Sequence, residues 1–178
     1  MSKKIYNIID DGYNAELVEQ TLFDGTLEIP SIEAPAEIRI PDSMTPFTKR
    51  SYAENFNTAI CEYEHDARFA DLIYATQKYV DDLKRFSAFV TPDCSLYRDM
   101  PLCLQIANTY FNRAIGVYLR SKGIYVITNI RWGTKEVFLL VCCLRKLHFS
   151  VHQERAFYQS AHMVALGELK ISIISKPD

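Results

Sequence analysis

The sequence predicts an α/β domain with a mainly parallel sheet, and three neighbouring stretches predict it. Phe86 to Thr91 is short and apolar and is closed by Pro92, which has no N–H to give to a central ladder. From Pro101 to about Arg120 the pattern is helical, with Asp99 placed to cap the start and Gly123 to end it. Ile124 to Ile130 is then a β-branched run of the kind that fills buried strands. Strand, helix and strand within residues 86–130 make a βαβ unit, which implies a parallel pair joined by a crossover.

The remaining elements follow in order. Tyr13 to Phe23 suits a short helix ending before Gly25. Prolines at 30, 35, 41 and 46 forbid a long helix from Leu27 to Pro46 and leave short extended pieces such as Glu37 to Ile40. Ile29, Ile32, Ile38, Ile40 and Phe47 make this stretch too apolar for a solvated linker, so an N-terminal proline-rich arm packed on the body is expected. Ala59 to His65 alternates with period two, setting Ala59, Cys61, Tyr63 and His65 on one face and Ile60, Glu62 and Glu64 on the other. Phe69, Leu72, Ile73, Thr76, Val80 and Leu83 recur at helical spacing and predict one amphipathic helix over 69–83. The expected core is Phe89, Ile106, Tyr110, Ala114, Tyr118, Val126 and Ile127.

The chain has 178 residues, which suits a single domain. In that domain residues 1–58 form the arm and short elements, 59–133 the core, and 134–178 a tail of different character. Hydrophobic residues are 48% and charged residues 24%, a globular composition that excludes disordered and collagen-like chains. The longest apolar run, Val137 to Leu144, falls well short of the about 20 residues of a membrane span, and no apolar leader follows Met1 to Lys4. No membrane partner is expected. Five cysteines, odd in number and without a C-x-x-C pair, fit a reducing cytoplasm better than a secreted disulfide framework. Residues 1–89 carry nine Lys/Arg against sixteen Asp/Glu, and residues 90–178 eleven against six. A basic face for an anionic ligand or nucleic acid is one consequence such asymmetry allows.

In an open α/β sheet ligands sit beyond the carboxyl ends of the strands, where loops and helix N-termini converge. The βαβ unit brings two loops to that edge, residues 93–99 and residues 129–133. Together with the helix they offer Ser95, Arg98, Asn108, Asn112, Arg113, Asn129, Arg131 and Trp132 as binding residues: arginine grips a carboxylate or phosphate bidentately, and the only tryptophan stacks a ring. Asp93 is the candidate catalytic acid or base, provided burial raises its pKa. The plainer alternative has Asp93 and Ser95 making turn hydrogen bonds, Asp99 capping the helix, Trp132 filling core and Arg131 pairing with an acid.

No metal site is expected. Glu62, Glu64, His65 and Asp66 have the composition of one, but neighbours along a strand point to opposite faces, so an acidic strand end is the simpler reading. Cys142, Cys143, His148 and His152 include zinc-binding residue types, yet vicinal cysteines seldom chelate one tetrahedral ion. Six ungrouped glycines provide no phosphate-cradling loop, and no cofactor is named by these residues.

The stretch TPDCSLYRDMPLCLQIANTYFNRAIGVYLRSKGIYVITNIRWG, residues 91–133, resembles the signature of the bacterial and phage family known as domain of unknown function 4417. Pro92, Asp93, Ser95, Pro101, Asn108, Arg113, Gly116, Gly123, Arg131 and Trp132 fit its pattern. TPFTKR at 45–50 and CEYEHDARFADLI at 61–73 sit where the family has similar segments, so the likeness covers about residues 15–133. The resemblance implies a prophage or mobile-element protein and supports the choice of Asp93, Asn112, Arg113, Arg131 and Trp132; it implies no reaction. Residues 134–178 depart from the pattern and read either as a divergent closure of the sheet or as the product of a frameshift, the latter being favoured. Three functional classes follow: an accessory protein binding an anionic small molecule or nucleic acid at the sheet edge, an enzyme using Asp93 with Arg113 or Arg131 there, and an inactive truncated remnant.

Overall fold

The structure, a computed structural model, describes residues 14–19, 21–33 and 35–133, all within one compact unit. Four parallel strands form its sheet: β3 (Ser43–Pro46), β4 (Thr58–Cys61), β5 (Ala88–Val90) and β6 (Val126–Ile127), side by side in chain order. Ahead of them, β1 (Phe23–Asp24) and β2 (Ile29–Pro30) make a small antiparallel hairpin. Its turn includes Gly25 at φ 68°, a backbone conformation that costs glycine little.

The register lines up Ile60 with Phe89 and Phe89 with Val126 across the sheet. Alternation then divides the residues between two faces. Ile60, Phe89 and Val126 pack with Leu72, Leu83, Ile115 and Leu119 from the helices, and with Leu17 and Val18 from the N-terminal segment. Ala59, Cys61, Ala88 and Val90, with Tyr125 and Ile127 beside them, form the other face.

The βαβ unit is present as the sequence predicts: β5, then α3 (Leu102–Ser121), then β6 parallel to β5. At the helix end Gly123 takes φ 85°; its N–H donates to the Arg120 carbonyl and that of Ile124 to Leu119, so the left-handed residue satisfies carbonyls the helix leaves open. The start differs from expectation. Pro101, in extended geometry, occupies the cap position and no side chain caps the helix, so Asp99 does not fill that role.

Three further differences have physical causes. The amphipathic pattern over 69–83 is broken into α1 (Ala70–Tyr74), a 3-10 turn (Thr76–Tyr79) and α2 (Val80–Leu83). Ala75 leaves helical geometry there, and the buried Thr76 hydroxyl donates back to the Leu72 carbonyl. Glu37 to Ile40 is not a strand; the edge strand is β3, a few residues later. Of the expected core residues Phe89, Ala114, Tyr118 and Val126 are buried, whereas Ile106, Tyr110 and Ile127 are partly exposed. From its first turn to its middle α3 turns Gln105, Thr109, Asn112 and Arg113 inward instead.

The arm packs only in part as expected: Ile29 and Phe47 are buried and Ile32 half-buried, whereas Ile38 and Ile40 are exposed. Gly116 on α3 is what lets it approach: a Cβ there would lie 2.5 Å from Ile32 Cδ1 and 2.7 Å from Thr91 Cγ2. Among the described residues no helix is long and apolar enough to cross a membrane.

Candidate functional site

Parallel strands end together, and the segments leaving β5 and β6 run out side by side over the polar face of α3. Their backbones present carbonyls and N–H groups that the sheet no longer pairs, and side chains take over. Thr91 Oγ1 accepts from the Asn129 N–H at 2.8 Å. Asn112 Nδ2 donates to the Pro92 carbonyl at 2.7 Å and to the Asn129 carbonyl at 3.4 Å, joining both segments to the helix. Asn108 Nδ2 donates to the Ser95 carbonyl at 2.7 Å. The inward polar stripe of α3 is therefore the surface on which the edge is built.

Asp93 lies between these segments. Asn129 Nδ2 donates to its Oδ1 at 2.9 Å and Arg131 Nη1 to its Oδ2 at 2.6 Å. The Asp93 side chain is 15% exposed and that of Arg131 44%, so the pair sits at the rim with arginine outermost. Asp93, Asn108, Asn112, Arg113, Asn129 and Arg131 together line a cleft, with Pro92, Cys94, Leu96 and Thr109. Its enclosed volume is about 10 Å³, the scale of one water molecule or one oxygen of a larger anion.

Three of the sequence-predicted residues stand outside that lining. Ser95 is held by Asp66, which accepts from its N–H at 3.1 Å and its hydroxyl at 2.9 Å. Trp132 packs with Ile130 against Leu96, an apolar prop beside the cleft. Arg98 is exposed on the connection to α3.

The structure adds residues that local spacing did not single out. Cys94 lines the cleft, but burial, followed by the charges of Asp66 and Asp93, pushes its thiol up to about 12, which removes it as a nucleophile. Asp66 orients Ser95 from 29 positions away. Glu62, one residue past β4, is 1% exposed and neither carboxyl oxygen has a hydrogen-bond partner. Burial, then the charges of Asp93 and Glu64, push its carboxyl well above the usual range. A sequence signal existed for it, because period two puts Glu62 on the face of Ile60. Among the described residues no group of three His, Cys, Asp or Glu is placed to hold a metal ion. The Cys142, Cys143, His148 and His152 group lies outside the described residues.

Comparison with known proteins gives one family and two phage relatives. The sequence model of the family described as domain of unknown function 4417 (DUF4417) matches residues 21–151, reaching beyond Gly133, where the likeness read from motifs ends. The chain is 35% identical over 89 residues to the Gene 1 protein of Mycobacterium phage L5, covering 50% of this chain and 39% of that protein. It is 33% identical over 89 residues to the Gene 1 protein of Mycobacterium phage D29, covering 50% and 33%. The chain thus spans well under half the length of these relatives. No solved structure matches it.

Proposed function

The chain belongs to the family described as domain of unknown function 4417, and on that premise we propose that it is a phage or mobile-element accessory protein that binds an oxyanion at the carboxyl edge of its sheet. The oxyanion belongs to a small molecule or to a nucleic-acid backbone. One observation carries the reading: Arg131, its side chain 44% exposed at the rim, gives Nη1 to Asp93 and lines a cleft together with Asn108, Asn112, Arg113 and Asn129.

Acidic residues at the same edge do not defeat it. Glu64 accepts from the Thr48 hydroxyl at 2.7 Å and pairs with Arg68, and Asp66 is engaged by Ser95. Glu62 resists ionisation where it lies. The acid that competes for Arg131 is Asp93.

Fluorescence anisotropy with a labelled oligonucleotide, and calorimetry with sulfate, test the proposal. Binding that weakens with salt and is lost in Arg131→Ala supports it, and removing one phosphate contact lowers the salt slope by about one. Sulfate binding without oligonucleotide binding assigns the site to small anions. Binding undiminished in Arg131→Ala rejects it.

The contrast between unpartnered Glu62 and doubly bonded Asp93 favours a second reading, an enzyme in which Asp93 moves a proton while Arg113 and Arg131 hold an anionic substrate. Its mark is turnover abolished by Asp93→Asn in a protein that still folds.

A further inference from the structure

Among the described residues Glu62 is the one buried acid at this edge that no hydrogen bond accounts for. Its carboxyl is sealed from solvent, and native structures seldom leave a buried polar group unmatched. The groups that face it come from several directions. The parallel register that sets Ile60 beside Phe89 runs on to bring Glu62 beside Thr91, and period two puts Asp93 next on that face. Cys61, Tyr63 and Glu64 lie on Glu62's own stretch, Cys94 comes with Asp93 from the segment after β5, and Arg113 of α3 lines the adjoining cleft. Cys61 is itself pushed up to about 11, chiefly by burial, so it is not charged near neutrality. The charge that matters to Glu62 across the edge is that of Asp93. A carboxyl kept neutral is a hydrogen-bond donor, and this one has no acceptor while Arg131 occupies Asp93.

We propose that Glu62 and Asp93 form a proton-sharing carboxyl pair that governs whether Arg131 is available to an oxyanion. The proposal rests on the oxyanion reading of the cleft and gives it a proton requirement. An anion that takes the Arg131 guanidinium leaves the Asp93 carboxylate with Asn129 alone. Glu62, protonated, turns its O–H to the released carboxylate, and the pair then holds one proton and one negative charge between two carboxyl groups. Glu62 ionised sets a second negative charge beside Asp93, so Asp93 keeps Arg131 and the anion is refused. Glu62 is a positioning residue in this scheme: it acts through Asp93, and the ligand meets Arg131.

The test is calorimetric titration of the full chain with sulfate, whose charge is constant from about pH 5.5 to about pH 9, for wild type, Glu62→Gln and Asp93→Asn. Wild-type affinity is expected to fall by up to about tenfold per pH unit once Glu62 begins to ionise. Glu62→Gln, neutral and a donor at every pH, is expected to bind with pH-independent affinity, and Asp93→Asn, with the competitor removed, to bind more tightly and without pH dependence. Equal pH slopes in wild type and Glu62→Gln overturn the carboxyl pair and leave the oxyanion site standing. Absence of sulfate binding in wild type at every pH overturns both. Infrared spectra supply a readout that needs no ligand: a protonated-carboxyl band present at neutral pH in wild type and absent from Glu62→Gln supports the pair, and its absence from wild type overturns it.

Discussion

Gly116→Ala separates two opposed effects by the sign of a stability change. On an exposed helix the substitution gains about 1 kcal/mol of helix propensity. At position 116 the new methyl would stand 2.5 Å from Ile32 Cδ1 and 2.7 Å from Thr91 Cγ2. The Ile32 contact is the end of a flexible side chain and can swing away. Thr91 cannot yield so easily: it is buried and β-branched, and its Oγ1 holds the Asn129 N–H at 2.8 Å. Overpacking costs about 1 to 3 kcal/mol and a strained hydrogen bond about 1 more, which propensity offsets by about 1, leaving a net loss of about 1 to 3 kcal/mol. Urea unfolding followed by circular dichroism measures it as a lower midpoint at unchanged m-value. A variant more stable than wild type would refute the close approach of α3 to β5 and the arm.

Other predictions concern the buried acid, the core and the tail. Glu62 has its pKa raised by folding, so the folded chain keeps a proton that the unfolded chain releases above about pH 4.5. Wild-type stability therefore falls as pH rises from there toward the raised value, by up to about 1.4 kcal/mol per pH unit, and Glu62→Gln, measured by the same unfolding assay, gains on wild type across that window; a constant difference would contradict the assignment. Leu119→Ala, at a fully buried position, should cost about 2 to 5 kcal/mol, and Ile106→Ala, partly exposed, distinctly less; the reverse order would mean α3 is rotated on the sheet. For residues 134–178 the frameshift reading expects an alternative frame of the encoding DNA to continue openly beyond codon 134 with family-like sequence, and stops in both other frames would remove it.

What the sequence made legible was local. Pro92 ends β5, Gly123 ends α3, and β-branched Val126 and Ile127 form the strand that follows, because each depends on a backbone preference that nearby residues express. The edge where the candidate residues gather was legible too, since a βαβ unit fixes where its loops emerge. The partners were not. Arg131 meets Asp93 across 38 positions and Ser95 meets Asp66 across 29, and no spacing rule encodes such pairings. The polar residues of α3 were legible as candidates but their work was not: Asn108 and Asn112, expected to meet a ligand, serve backbone carbonyls of loops whose path depends on the folded sheet. Glu62 was misread because an acid past a strand end is ordinarily solvated, whereas here the face it shares with Ile60 continues inward.

The proposed oxyanion site can be tested at the guanidinium itself. In a chain labelled with nitrogen-15 arginine, side-chain spectra recorded during a sulfate titration should show the Arg131 resonances moving saturably as the guanidinium exchanges Asp93 for the anion, while Arg50, anchored to Asp82 at 2.8 Å remote from the cleft lining, stays in place. Arg131 resonances that stay still while sulfate saturates, or that move no more than those of Arg50, would contradict the account.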